Sequence, residues 1–234
     1  MADFISLPFY DLLHEDGHGP AVREKLPSLL AGVRRSILEI GAGTGLITTS
    51  LAEWTPAEIF ALEPSTGMRG VLVSRLSGRP ELLKRVTVLP CDALSVDLDA
   101  PVEAMVMINV MYALEPDYRK RLWPVLAGQL EPGGLLIFTW RDGGAPAPHP
   151  LQESGSRQVG RHTYTVLSEI LESSEEACEA RYLYRITQGD KVVSEEEIVG
   201  HAYRPVRKTI EEELLGAGFV QAVAPEGFLA WRLA

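Results

Sequence analysis

The chain is poor in the residues that build covalently stapled or metal-held scaffolds. Cys91 and Cys178 are its only cysteines in 234 residues, too few for a disulfide framework or a cysteine-rich zinc site, so a reducing compartment is expected. Long apolar runs are missing as well, none approaching the ~18 to 20 residues of a membrane-spanning helix. The opening stretch MADFISLPFYD lacks the basic segment and following apolar segment of an export signal. A soluble, cytoplasmic chain with no membrane partner is the expectation. Positive charge is short too: 22 Lys and Arg stand against 32 Asp and Glu, a net charge of -10. That balance works against a nucleic-acid partner, because phosphate binding rests on clustered Lys and Arg that release counterions. His14, His18, His149, His162 and His201 show no ligand spacing such as H-E-x-x-H, and no metal is expected. G-x-S-x-G is absent, which leaves acyl transfer without its nucleophile.

What is present is ordinary globular composition, 46% hydrophobic and 23% charged, with a change of texture along the chain. Residues 1–35 read as two helical stretches, 9–14 and 21–33, split by a polar turn. From Ser36, short apolar runs at 37–40, 59–62, 86–89, 105–110 and 135–140 alternate with helix-like stretches at 46–54, 66–76 and 116–130. Strand and helix alternating in this way imply βαβ units in a parallel sheet. The sequence Glu131-Pro132-Gly133-Gly134 reads as the stop after the third of those helices. Residues 141–160 are loaded with Gly, Pro and Ser and read as a surface loop. Period-two alternation then predicts an antiparallel meander over 162–203, hinged at Gly189-Asp190, before a helix at 208–217 and a terminal hairpin at 219–223 and 228–233.

The informative segment is Ile37-Leu38-Glu39-Ile40-Gly41-Ala42-Gly43-Thr44-Gly45-Leu46, a buried strand, a glycine-rich turn and a helix start. Glycines there let the chain turn sharply and approach a ligand, with amide N–H groups free at the helix start. Glu63 follows at the end of the second strand, 63 − 45 = 18 residues past the last glycine, where nucleotide-binding folds place a carboxylate that grips a ribose diol. Leu46 stands where the dinucleotide fingerprint G-x-G-x-x-G has its third glycine, which disfavours nicotinamide cofactors.

An acid followed by G-x-G-x-G resembles the first motif of the class I methyltransferases that use S-adenosylmethionine, with Glu39 as the acid. The resemblance implies that Gly41, Ala42, Gly43 and Gly45 line the cofactor and that Glu63, next to Pro64, binds the ribose hydroxyls. Met68 matches an apolar residue beside the adenine, and Asp92-Ala93 match the acid and amide that read the adenine edge. Asn109, expected to end the fourth strand, matches chain lining the methionine half. The implied fold is α/β and Rossmann-like: a seven-stranded, mostly parallel sheet whose last strand runs antiparallel and inserts beside the sixth. Residues 36–140 would form the cofactor-binding core and 205–234 the helix and hairpin that complete its sheet. By the same resemblance, 1–35 form an N-terminal helical lid on which Tyr10 closes over the cofactor, and 141–204 form a loop and antiparallel insert capping the substrate. Tyr112, Trp140 and Arg141 fall on the substrate side, with Tyr10 and Tyr112 as candidate catalytic groups. The implied activity is methyl transfer from S-adenosylmethionine to an O or N nucleophile of a small molecule, with a specialised metabolite or amino sugar favoured. A protein or nucleic-acid methyltransferase, or a non-catalytic cofactor-binding subunit, are the rival readings, and a homodimer is left open.

Overall fold

The computed structural model describes residues 6–14 and 19–234. In chain order it begins with α1 (Leu7–His14), α2 (Gly19–Leu29), β1 (Ser36–Ile40), α3 (Leu46–Trp54), β2 (Glu58–Leu62), α4 (Thr66–Ser77), α5 (Pro80–Leu83) and β3 (Val86–Leu89). Next come β4 (Val102–Met107), a 3-10 turn (Met111–Ala113), α6 (Pro116–Gln129) and β5 (Leu130–Thr139). Four strands follow, β6 (His149–Val159), β7 (His162–Ser173), β8 (Ala177–Gln188) and β9 (Lys191–Tyr203), then α7 (Arg207–Gly216), β10 (Phe219–Ala222) and β11 (Phe228–Leu233). Among the described residues no helix is long and apolar enough to cross a membrane.

These elements form two compact units. The larger, Ala21–Asp142 with Arg207–Ala234, is built on a seven-stranded sheet of order β10-β11-β5-β4-β1-β2-β3. Strands β1 to β5 are mutually parallel, whereas β11 runs antiparallel to both β5 and β10 and lies between them. This is the inserted last strand that the resemblance implies. A central parallel strand is covered on both faces and therefore reads as a continuous apolar run. In β1, Leu38 and Ile40 point into a cluster with Trp123 of α6 and Leu214 of α7, while Ile37 points into the opposite cluster with Leu26 of α2, Leu51 of α3 and Leu72 of α4. A buried ion pair ties α6 to α7. Arg119 donates to Glu213 from Nε and Nη2 at 2.7 and 2.9 Å, and Trp123 Nε1 donates to the same carboxylate at 2.8 Å.

The smaller unit takes the described residues up to Pro20 and Gly143–Val206. Its antiparallel sheet has the order β6-β7-β8-β9. On it α1 is held by Phe9, whose ring lies 5.1 Å from those of both Tyr164 and Tyr184.

Within 1–35, α1 belongs to the smaller unit, while Val22 and Leu26 of α2 and Leu30 just after it bury into a core cluster of the large sheet. Two expectations are corrected. The sequence 141–160 is not all loop, since β6 runs through it. Nearly every β6 residue is exposed, so the strand is held by backbone pairing to β7 and shows no apolar alternation. The fourth strand lies earlier than 105–110, at Val102–Met107. Glu131-Pro132-Gly133-Gly134 stands just after α6, which ends at Gln129 as the stop signal implies, and it lies within β5. Register passes from Val102↔Leu130 to Ala104↔Leu135, so these residues form a bulge inside β5, with Gly133 at φ 75.

Candidate functional site

Because β1 to β5 are parallel, everything that follows them collects at one edge of the sheet, where open α/β folds bind ligands. After β1, Gly41, Gly43 and Gly45 adopt φ of 74, 57 and 82°, a region closed to most side chains. Space adds to that demand: a Cβ on Gly41 would come within 2.6 Å of Val110 Cγ2, and one on Gly45 within 2.9 Å of Leu72 Cγ. The N–H groups of Gly41 and Ala42 donate to Leu62 O at 2.9 and 3.0 Å, fastening the loop to the end of β2. Helix α3 then opens from Gly45 without a side-chain cap, and its amides and dipole make that point favourable for negative charge.

Two carboxylates flank the loop. Glu39 is buried within the sheet and accepts from Thr48 Oγ1 at 2.5 Å. Burial pushes its carboxyl up to about 8, opposed by the Thr48 hydrogen bond and assisted by the charge of Glu63. Glu63 is also buried. Its Oε2 accepts from Gly43 N–H at 2.9 Å and its Oε1 from Ser65 N–H at 2.8 Å. The backbone behind it is braced by Arg69 Nη1, which donates to the carbonyls of Glu63 and Pro64 at 2.8 and 2.5 Å. Met68, half-buried, sits in the first turn of α4, where its N–H donates to the Ser65 hydroxyl at 3.4 Å. After β3, Asp92 is exposed and its Oδ1 accepts from the N–H groups of Leu94 and Ser95 at 2.9 and 3.0 Å. Its neighbour Ala93 turns its methyl into the core.

Asn109 does not end the fourth strand. It stands two residues past Met107, at φ 56, with its N–H donating to Thr139 Oγ1 at 2.8 Å. Beyond it, Tyr112 lies under the guanidinium of Arg141, 5.6 Å from the ring centroid. Trp140 is buried, its ring is 6.4 Å from that of Phe138, and its Nε1 donates to Asp142 Oδ1 at 2.8 Å. Trp140 and Asp142 also border a cavity of about 430 Å³ whose remaining wall is Arg207 and residues 221–229.

The larger unit therefore brings together Glu39, Gly41, Ala42, Gly43, Gly45, Glu63, Pro64, Met68, Asp92, Ala93, Asn109, Tyr112, Trp140 and Arg141 along one sheet edge. Tyr10 lies on α1 of the smaller unit, half-buried. Sequence reasoning missed Thr48, Arg69 and Thr139. Each is an ordinary helix or strand residue whose role comes from a partner distant in the chain or one turn away, and no motif marks it.

Residues 37–134, from β1 into the β5 bulge, match the family described as "Methyltransferase domain". Over this segment the chain is similar to a methyltransferase domain. An uncharacterized methyltransferase of Mycobacterium tuberculosis (strain ATCC 25618 / H37Rv) is 32% identical over 127 residues, 54% of this chain and 48% of that protein. The match thus spans about half the length of the curated relatives. Among solved structures, S-adenosylmethionine-bound CalS10 from Micromonospora echinaspora, an amino pentose methyltransferase involved in calicheamicin biosynthesis, superposes with a TM-score of 0.76 at 15% identity, covering 100% of this chain and 99% of that one. The sugar N-methyltransferase KedS8 from Streptoalloteichus sp ATCC 53650 gives a TM-score of 0.75 at 18% identity, covering 99% and 94%. At such identities the likeness is one of fold, and it includes the parts outside the methyltransferase domain.

Proposed function

We propose that this chain is an enzyme that transfers the methyl group of S-adenosylmethionine to an oxygen or nitrogen nucleophile of a small organic molecule. The observation that carries the reading is the placement of Glu63. A carboxylate offers about four acceptor positions, and Glu63 spends two on the N–H groups of Gly43 and Ser65. Two remain, the number needed by the vicinal hydroxyls of a ribose, and the bond to Gly43 puts them beside the glycine loop. Met68 and the Asp92-Ala93 turn follow as the adenine side, and Asn109 with the glycine loop as the methionine side.

S-adenosylmethionine would supply an already activated methyl group on a sulfonium, so the protein's task is to align the nucleophile and exclude water. Tyr112 and Arg141, stacked on each other after β4 and β5, are the acceptor-side groups, with Trp140 supporting them from the core. Tyr10 and Tyr112 are our candidates to touch the acceptor and to take up its proton. An amino sugar of a specialised metabolite is the favoured acceptor, supported by the whole-chain fold shared with an amino pentose and a sugar N-methyltransferase. We assign the capping of that acceptor to the unit of α1 and β6 to β9.

Titration calorimetry with S-adenosylmethionine and with NAD tests the cofactor. Binding of the first and silence of the second is expected, and the reverse would overturn the reading. Release of S-adenosylhomocysteine in the presence of amino sugars, compared with the same sugars bearing hydroxyls in place of amines, then tests the acceptor class.

A further inference from the structure

The backbone after β4 is held in a conformation that a non-glycine residue seldom adopts. Asn109, at φ 56, is the only such residue with positive φ among the described residues. Asparagine tolerates the left-handed region better than most residues, yet strain of this kind persists only where the surroundings over-determine it, and it gathers at functional sites. Here the surroundings are identifiable. Thr139, the last residue of β5, is 8% exposed. Its Oγ1 accepts the Asn109 N–H at 2.8 Å and lies 3.5 Å from Asn109 Oδ1, to which it donates. The next residue, Val110, seats its Cγ2 against the bare face of Gly41 in the glycine loop. Two residues further on, Tyr112 is covered by Arg141, two residues past Thr139.

The end of β5 therefore grips the post-β4 segment at two points, Thr139 on Asn109 and Arg141 on Tyr112, and the glycine loop supports it at a third. At a strand end so well covered, a valine would fill the same volume as threonine and pack without a polar group. The hydroxyl at this position is spent wholly on the conformation of Asn109.

We propose that Thr139 is a positioning residue: its hydroxyl holds Asn109 in the left-handed turn that presents residues 109–112 to the methionine half of the cofactor. The proposal rests on the S-adenosylmethionine reading above and adds a residue that does not itself touch the cofactor. Thr139 acts through the backbone of Asn109, so its effect must depend on how hard that conformation is to hold.

The test is a cycle of Thr139→Val, Asn109→Gly and the double variant, with Thr139→Ser as the conservative control. S-adenosylmethionine affinity is measured by calorimetry and the melting temperature in parallel. Thr139→Val should weaken binding about threefold to tenfold, the worth of one neutral hydrogen bond, and Thr139→Ser should restore it. Glycine reaches φ 56 unaided, so in the Asn109→Gly background Thr139→Val should change affinity less than about twofold. Equal losses in both backgrounds would overturn the proposal. So would a lowered melting temperature with unchanged affinity, which marks a purely structural threonine. A wild-type chain that binds no S-adenosylmethionine refutes the underlying reading, and this proposal with it, and is recognised at the first titration.

Discussion

Glu63→Gln is the substitution for which the structure predicts two separate losses. The wild-type carboxylate faces two backbone donors, Gly43 N–H at 2.9 Å and Ser65 N–H at 2.8 Å, in a site where the residue is 7% exposed. Glutamine keeps one oxygen and turns the other into an NH2 group. Whichever way the amide is placed, one N–H donor then faces another donor and is left unsatisfied. Leaving a buried donor unpaired costs about 1 to 3 kcal/mol, and for a chain of this size each kcal/mol lowers the melting temperature by about 2 to 4 °C. The variant should therefore melt roughly 2 to 12 °C lower. The second loss is in binding. A hydrogen bond to a charged group is worth about 1.5 to 3 kcal/mol, so affinity for S-adenosylmethionine should fall about 10- to 150-fold. Calorimetric titration at a temperature well below the lowered melting point separates the two effects. An affinity within about twofold of wild type would show that Glu63 is a strap between loops and no more, and an unchanged melting temperature would refute the hydrogen-bond reasoning itself.

Glu39 makes stability depend on pH. Its carboxyl is held at about 8 in the folded chain against an ordinary 4.5, so the folded state keeps a proton that the unfolded chain releases. Its contribution is full below about pH 4.5, declines as pH rises towards 8 and is flat above, so Glu39→Gln should flatten that part of the melting-temperature profile, and parallel profiles for the two proteins would contradict the burial argument. Glu213→Ala removes the partner of a guanidinium whose side chain is 1% exposed and orphans Trp123 Nε1. A loss of about 3 to 5 kcal/mol is expected, read by urea denaturation, and a change below about 1 kcal/mol would mean that Arg119 finds other partners. Tyr10→Phe should melt like wild type and lose turnover if Tyr10 touches the cofactor or the acceptor, whereas full turnover would make it a packing residue of α1.

The legible parts of the chain are those whose cause is local. The segment 37–46 announced itself because strand, glycine turn and helix each follow from neighbouring residues, and helix α3 begins and ends where the pattern places it, at Leu46–Trp54. The acid at position 63 was visible by its distance from the glycines. Less legible was β6, where Gly, Ser and charged residues give no alternation and the strand exists only because β7 offers a partner. The fourth strand is less legible at its end because apolar residues continue past Met107 with Ile108, Val110 and Met111, which pack against the core clusters after the strand has ended. The sequence also gave no reason to divide residues 1–35, since both helices have apolar residues and only the fold assigns Phe9 to one core and Leu26 to another.

By itself the sequence determined the alternation of strands and helices from β1 to β5, the glycine turn, and the acids at the end of β1 and after β2. All of these rest on side-chain periodicity and on backbone freedom within a few residues. Tertiary structure decided what those acids grip. The Glu63 bond to Gly43 joins residues 20 apart, the Thr139 bond to Asn109 joins residues 30 apart, and the Arg119–Glu213 pair closes a span of 94. Such pairings depend on which strands become neighbours in the sheet, and strand order is set by the burial of whole faces, which no local pattern encodes.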